Sequence, residues 1–116
     1  MADFSGFIEK QLAQSRPLTS SSVSVYSPSA STRGILKSMM ICNVSNVDAS
    51  FSMFIDNNGS DRTVSTAIYY NAPISANDTV NAEIFQVIDT SAGSVGIQSS
   101  PDGAITFTLS GAEVSV

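Results

Sequence analysis

Short apolar runs separated by turn-forming clusters organise the chain. Ser22-Val23-Ser24-Val25-Tyr26 alternates with period two, the pattern of a half-buried strand. The Pro28-containing cluster Ser27 to Ser31 interrupts it. Ile35 to Val44 is the most apolar stretch. Regular alternation would put Leu36, Met40, Cys42 and Val44 on one face and Ile35, Met39 and Ile41 on the other. A strand apolar on both faces is expected to be central in a sandwich or covered by another subunit. Phe51, Met53 and Ile55 share a face of the next strand. Asp56-Asn57-Asn58-Gly59-Ser60-Asp61 reads as a turn, since Gly and Asn tolerate the positive φ that turns require.

Val64 to Tyr70 resumes the extended pattern, and Asn71-Ala72-Pro73 is expected to end it. After a turn at Ala76-Asn77-Asp78, Thr79 to Ile88 carries Val80, Ala82 and Ile84 on one face and Phe85 and Val87 on the other. Ser91 to Ser94 turns again. Val95-Gly96-Ile97 is a short strand, and Ser99 to Gly103 reads as a loop. Ile105 to Leu109 is the cleanest alternation, and Gly111 marks a bulge before Glu113 to Val116. Seven or eight strands at spacings of roughly 8–15 residues predict an all-β protein, a single antiparallel β-sandwich of jelly-roll type.

The N-terminus is the exception. Phe4, Phe7, Ile8 and Leu12 could share one face of a helix. The preferred reading is extended: residues 1–19 form an arm or a first strand, and residues 20–116 form the sandwich. An arm could add a strand to a partner's sheet, which makes Phe4, Phe7, Ile8 and Leu12 candidate partner-binding residues. Tyr69 and Tyr70 are neighbours in a strand, so one must face away from the core and could anchor an interface or stack on a sugar. Met39 and Met40 could pack adaptably at a subunit contact, with core filling as the simpler reading.

Length sets the scale. A 116-residue chain folds to about 6,000 Å² of surface from roughly 17,500 Å² extended, which leaves one core. No apolar run approaches the ~20 residues of a membrane-spanning helix. MADFSGFIEK lacks the basic start and apolar centre of a secretory signal.

Charge removes further classes. The net charge is −5, and the five basic residues Lys10, Arg16, Arg33, Lys37 and Arg62 are scattered. Binding to a phosphate backbone or an anionic membrane needs clustered cations, so neither nucleic acid nor membrane is an expected partner. Ser and Thr fill 30 of the 116 positions, which suits sheets with polar outer faces.

Histidine is absent and Cys42 is the single cysteine. No disulfide can form within one chain, and no Ser-His-Asp or Cys-His nucleophile can be built. An enzyme is not expected, nor a cofactor or metal. Asp56 and Asp61 flank a Gly-containing turn, but a calcium loop of EF-hand type needs twelve residues and a terminal Glu. A plain hairpin turn is the simpler reading. Glu113 could meet Lys37 or Arg33 across a sheet, a contact of small energetic weight.

The order of the pieces carries a resemblance. Leu12-Ala13-Gln14 leads to Val25-Tyr26-Ser27-Pro28. Ile35-Leu36-Lys37-Ser38-Met39-Met40-Ile41-Cys42-Asn43-Val44-Ser45 and Phe51 to Ile55 follow. Ala67-Ile68-Tyr69-Tyr70 comes next, and the chain closes on Phe107-Thr108-Leu109-Ser110-Gly111-Ala112-Glu113-Val114. This resembles small β-sandwich structural proteins of tailed bacteriophages, over roughly residues 10 to 116. The chain departs from the family pattern at Ser91-Ala92-Gly93-Ser94-Val95, where a Gly-Asp is usual.

The resemblance implies a non-enzymatic virion component. The leading expectation is a capsid decoration (cement) protein on the outer surface of the head. Its partners would be the major capsid protein or other virion proteins, and it would form a homo-oligomer, a trimer or dimer. The alternative is a tail, baseplate or neck component, with a possible role in host attachment. A sugar- or calcium-binding sandwich outside a virus is a third reading.

Overall fold

The computed structural model describes residues 7–19 and 21–115. Among them are eight strands: β1 (Phe7–Ser15), β2 (Val23–Tyr26), β3 (Thr32–Asn43), β4 (Ala49–Asp56), β5 (Ala67–Ile74), β6 (Thr79–Ile88), β7 (Ser94–Ser100) and β8 (Ile105–Ser115). They form two four-stranded sheets, ordered β1-β8-β3-β6 and β2-β7-β4-β5. Every pairing is antiparallel.

The topology follows from one nested pattern. β4 pairs with β5, β3 with β6, β2 with β7 and β1 with β8. That is a long antiparallel ribbon turned back at the β4–β5 connection. Winding the ribbon adds the β3–β8 and β4–β7 pairings and closes two facing sheets. This is the eight-stranded jelly roll, and the fold class expected from the alternation is the one observed.

The core lies between the sheets. Leu36, Met39 and Ile41 of β3 meet Phe51 and Met53 of β4, Val95 and Ile97 of β7, and Ile105, Phe107 and Leu109 of β8. Phe107 is fully buried and sits edge-on to Phe51, with ring centroids 6.0 Å apart. Phe51 also packs on Tyr69 at 5.4 Å.

Several sequence expectations change. Alternation along β3 fails at Lys37, where the register slips against both β8 and β6 between Leu36 and Ser38. The slip moves Leu36 to the face of Met39 and Ile41, and leaves Met40 and Cys42 outside. Met39 has no exposed surface, so it is core and is not available to a partner.

β5 runs through Asn71-Ala72-Pro73 to Ile74 instead of stopping. Asn71 takes a left-handed φ of 49°, and its N–H donates to Ser52 Oγ at 2.9 Å. Pro73 is tolerated because β5 is an edge strand. Val64 falls in the connection before β5, and β7 extends over Ser99 and Ser100.

The N-terminal segment from Phe7 to Ser15 is the first strand of this chain's own sheet, paired with β8 along its length. Leu12 is the residue at its register slip, and with Ala13 it packs against the core. Of the readings of this segment, the first strand is the one observed over these residues, as an intrachain edge strand in place of a helix or a free arm. Phe4 and the side chain of Phe7 lie outside the described residues.

Candidate interaction surfaces

Gly111 of β8 lies in close backbone contact with β3. The slip at Lys37 of β3 falls between Ser110 and Gly111, and the slip at Leu12 of β1 falls one residue earlier, between Leu109 and Ser110. A Cβ at Gly111 would collide with the Ile35 carbonyl oxygen, 2.9 Å from its carbon and 3.1 Å from Leu36 Cα. Close backbone approach is what requires glycine here. Glu113 follows two residues on.

There Tyr26 of β2 donates its hydroxyl to Glu113 Oε2 at 2.6 Å, while Lys10 Nζ of β1 lies 3.2 Å from Oε1. The partners expected for Glu113, Lys37 and Arg33, are replaced by Lys10 and Tyr26; Lys37 instead pairs with Glu9 at 3.4 Å. The Tyr26 hydrogen bond, helped by Lys10 against the opposing effect of burial, holds the Glu113 carboxyl below its ordinary value. Burial, then the hydrogen bond and the charge of Glu113, push the Tyr26 phenol far above its ordinary value of 10.0. The group ties β1, β2 and β8 together across both sheets. It has the chemistry of a structural clamp.

A second polar knot ends β3. Asn43 is fully buried. Its amide donates to the carbonyls of Val47, Ile74 and Ser75 at 2.8, 3.2 and 3.2 Å. Its Oδ1 accepts from the Ser45 N–H and hydroxyl at 3.0 and 2.7 Å. The Asn43-Val44-Ser45 signature therefore locks two connections at one end of the sandwich.

At the other end, Asp56 Oδ1 accepts the Asn58 N–H at 3.0 Å and Oδ2 accepts the Asp61 N–H at 2.9 Å. Those hydrogen bonds lower the Asp56 carboxyl below its ordinary value. Both oxygens serve the turn. No cluster of three or more metal-ligating side chains occurs among the described residues.

The outer face of the second sheet holds a shallow hollow of about 200 Å³, lined by Ser50, Ser52, Asn71, Gln98 and Ser100 with Phe51 and Ser99. Its groups are hydroxyls and amides. They can exchange hydrogen bonds with a polar surface but supply no acid, base or nucleophile of shifted reactivity.

The candidate partner-binding residues are dispersed. Ile8 is exposed on β1, whereas Leu12 is part-buried against the core. Tyr69 packs inward and Tyr70 outward, 56% exposed. Ile8 and Tyr70 stand on edge strands of different sheets, so the fold does not gather them into one site. Sequence reasoning missed Phe85, which is 69% exposed on β6 beside Val87. The signal was present: Thr79 to Ile88 is apolar on both faces, as Ile35 to Val44 is.

No family model matches the chain, and no curated protein matches it in sequence. Solved structures do match the fold. A chain of the T13 IBDV viral particle superposes with a TM-score of 0.56 at 10% identity, over 96% of this chain and 31% of that one. A chain of the infectious bursal disease virus Gx strain gives 0.50 at 15% identity, over 91% and 29%. The Tobacco streak virus coat protein gives 0.48 at 8% identity, over 97% and 88%. The chain thus spans about a third of the length of the infectious bursal disease virus chains that it matches. At these identities the likeness is one of fold: an eight-stranded sandwich shared with chains of viral particles.

Proposed function

We propose that this protein is a non-enzymatic structural component of a virion, and more particularly a decoration protein on the outer surface of a tailed-bacteriophage head. The observation that carries the reading is the jelly roll itself, matched over 96% of the chain by a chain of a viral particle. The bacteriophage assignment rests on the sequence resemblance, and location on the outside rests on charge. A chain of net charge −5 with five scattered basic residues is repelled by packaged nucleic acid. Hydroxyl-rich outer faces, backbone edges and a few apolar side chains suit adhesion to another protein. The major capsid protein is the proposed partner, and the chain acts as a homo-oligomer.

Co-sedimentation with purified heads lacking the protein tests this. Saturable binding that raises the temperature at which heads release their genome is expected. Failure to bind heads while binding purified tails would replace the reading with a tail, baseplate or neck role. The exposed Tyr70 favours that second reading, as an aromatic anchor for a host surface.

A further inference from the structure

Three of the four edge strands carry more than one feature that discourages pairing with another strand. β1 slips register at Leu12, and its Glu9 and Lys10 are engaged in ion pairs. β2 is four residues long and slips between Ser24 and Tyr26. β5 holds the left-handed Asn71, two register shifts and Pro73.

β6 shares one such feature, a register shift against β3 where Ile84 and Phe85 together lie opposite Lys37, but it is the longest of the four edge strands. It runs ten residues, Thr79–Ile88, without glycine or proline and with Glu83 as its one charged residue. Its more and less exposed positions alternate without interruption: Val80, Ala82, Ile84, Gln86 and Ile88 turn inward, and the residues between them face out. Among the described residues, Val80 to Ile88 make no backbone hydrogen bond except to β3. The outward flank bears Phe85 at 69% exposure and Val87 at 37%. Val87 lies opposite Ile35 of β3, and Met40, 43% exposed, continues the apolar outer face.

We propose that β6 pairs antiparallel with β6 of a second copy about a two-fold axis at Phe85, joining two four-stranded sheets into one of eight. A second copy fits this edge because the edge is self-complementary. Antiparallel pairing of two identical, evenly alternating strands sets inner face beside inner face and outer beside outer.

Charge selects the register. An axis at Glu83 would set two carboxylates opposite each other, which is destabilising. An axis at Ile84 would set each Phe85 against a carboxylate. The axis at Phe85 opposes two phenylalanines, a favourable cross-strand pair, and separates the two Glu83 residues by about 13 Å along the strands. The single acidic residue also argues against a basic peptide as the occupant, since little charge is available to recognise it.

The pairing specifies the self-association included in the proposed function, but it does not depend on the virion role. Sedimentation velocity across a concentration series, on the full chain, tests it. The wild type is expected to shift from monomer to dimer. Phe85→Glu should weaken dimerisation at least about tenfold, with its circular dichroism spectrum unchanged. Val64→Glu alters an equally exposed side chain (69%) off this edge and should leave dimerisation within about twofold.

Oxidative cross-linking in a Cys42→Ser background fixes the register. Phe85→Cys should give a disulfide-linked dimer and Thr79→Cys none, since only the axial position brings two identical residues within disulfide reach. A wild type monomeric at all concentrations would overturn the pairing and leave the virion role standing. So would a dimer indifferent to Phe85→Glu, or cross-linking at Thr79 in place of Phe85.

Discussion

Gly111→Ala puts the close approach of β8 to β3 to a numerical test. The added methyl falls on the Ile35 carbonyl oxygen and within 3.1 Å of Leu36 Cα. Both neighbours are backbone, so no rotamer change can relieve the overlap. β8 and β3 must separate locally. Overpacking costs about 1–3 kcal/mol, and each disrupted ladder hydrogen bond adds about 1 kcal/mol. With two bonds disturbed, the total is roughly 3–5 kcal/mol.

A domain of this size is stable by about 6–17 kcal/mol, so the variant should fold poorly or lose about 10–20 °C in Tm. Gly103→Ala is the matched control. Its Cβ would meet only Leu18 Cδ2, at 3.7 Å, and its φ of +68° is the main obstacle. That substitution should cost about 1–2 kcal/mol. Urea unfolding followed by circular dichroism measures both. If Gly111→Ala costs less than about 1 kcal/mol, or less than Gly103→Ala, close strand approach is not what demands glycine there.

Other consequences follow from the polar groups. Tyr26→Phe removes a hydrogen bond to a charged, part-buried carboxylate and should cost about 1–2 kcal/mol in urea unfolding. The Glu113 carboxyl is lowered in the folded state, so its stabilisation is complete above its ordinary value of 4.5 and is lost as pH falls through the folded value. Tyr26 is raised, so its share is complete below pH 10.0 and is lost as pH rises through its folded value. Thermal melts should therefore show a plateau between these limits, and Tyr26→Phe should flatten both flanks. Asn43→Ala leaves three carbonyls without their donor and should cost about 3–5 kcal/mol, read by the same unfolding assay. Ser99→Ala removes a buried hydroxyl with no hydrogen-bond partner among the described residues and should be neutral or stabilising by up to about 1 kcal/mol, seen as an equal or higher Tm.

Alternation along the chain was enough to read the fold class, because each strand buries one face and period two survives over four or more residues. Thr79 to Ile88 was delimited to the residue because turns bound it on both sides. Faces were misread in β3, where the slip at Lys37 changes which residues point inward. A slip is set by a neighbour, here the close approach at Gly111, and leaves no periodic trace of its own strand. β5 was cut short because Asn71 and Pro73 break strands on average; a side-chain acceptor from Ser52 and an edge position make them acceptable here. Met39 was offered to a partner for the same reason that Phe85 was overlooked. Sequence shows that both faces are apolar, and only the second sheet decides which face it covers.

The copy number of this chain in purified particles tests the central claim most directly. Quantitative mass spectrometry against the major capsid protein supplies it. A decoration protein predicts a count comparable to that of the shell subunit. A count of a few per particle, or none, would contradict it.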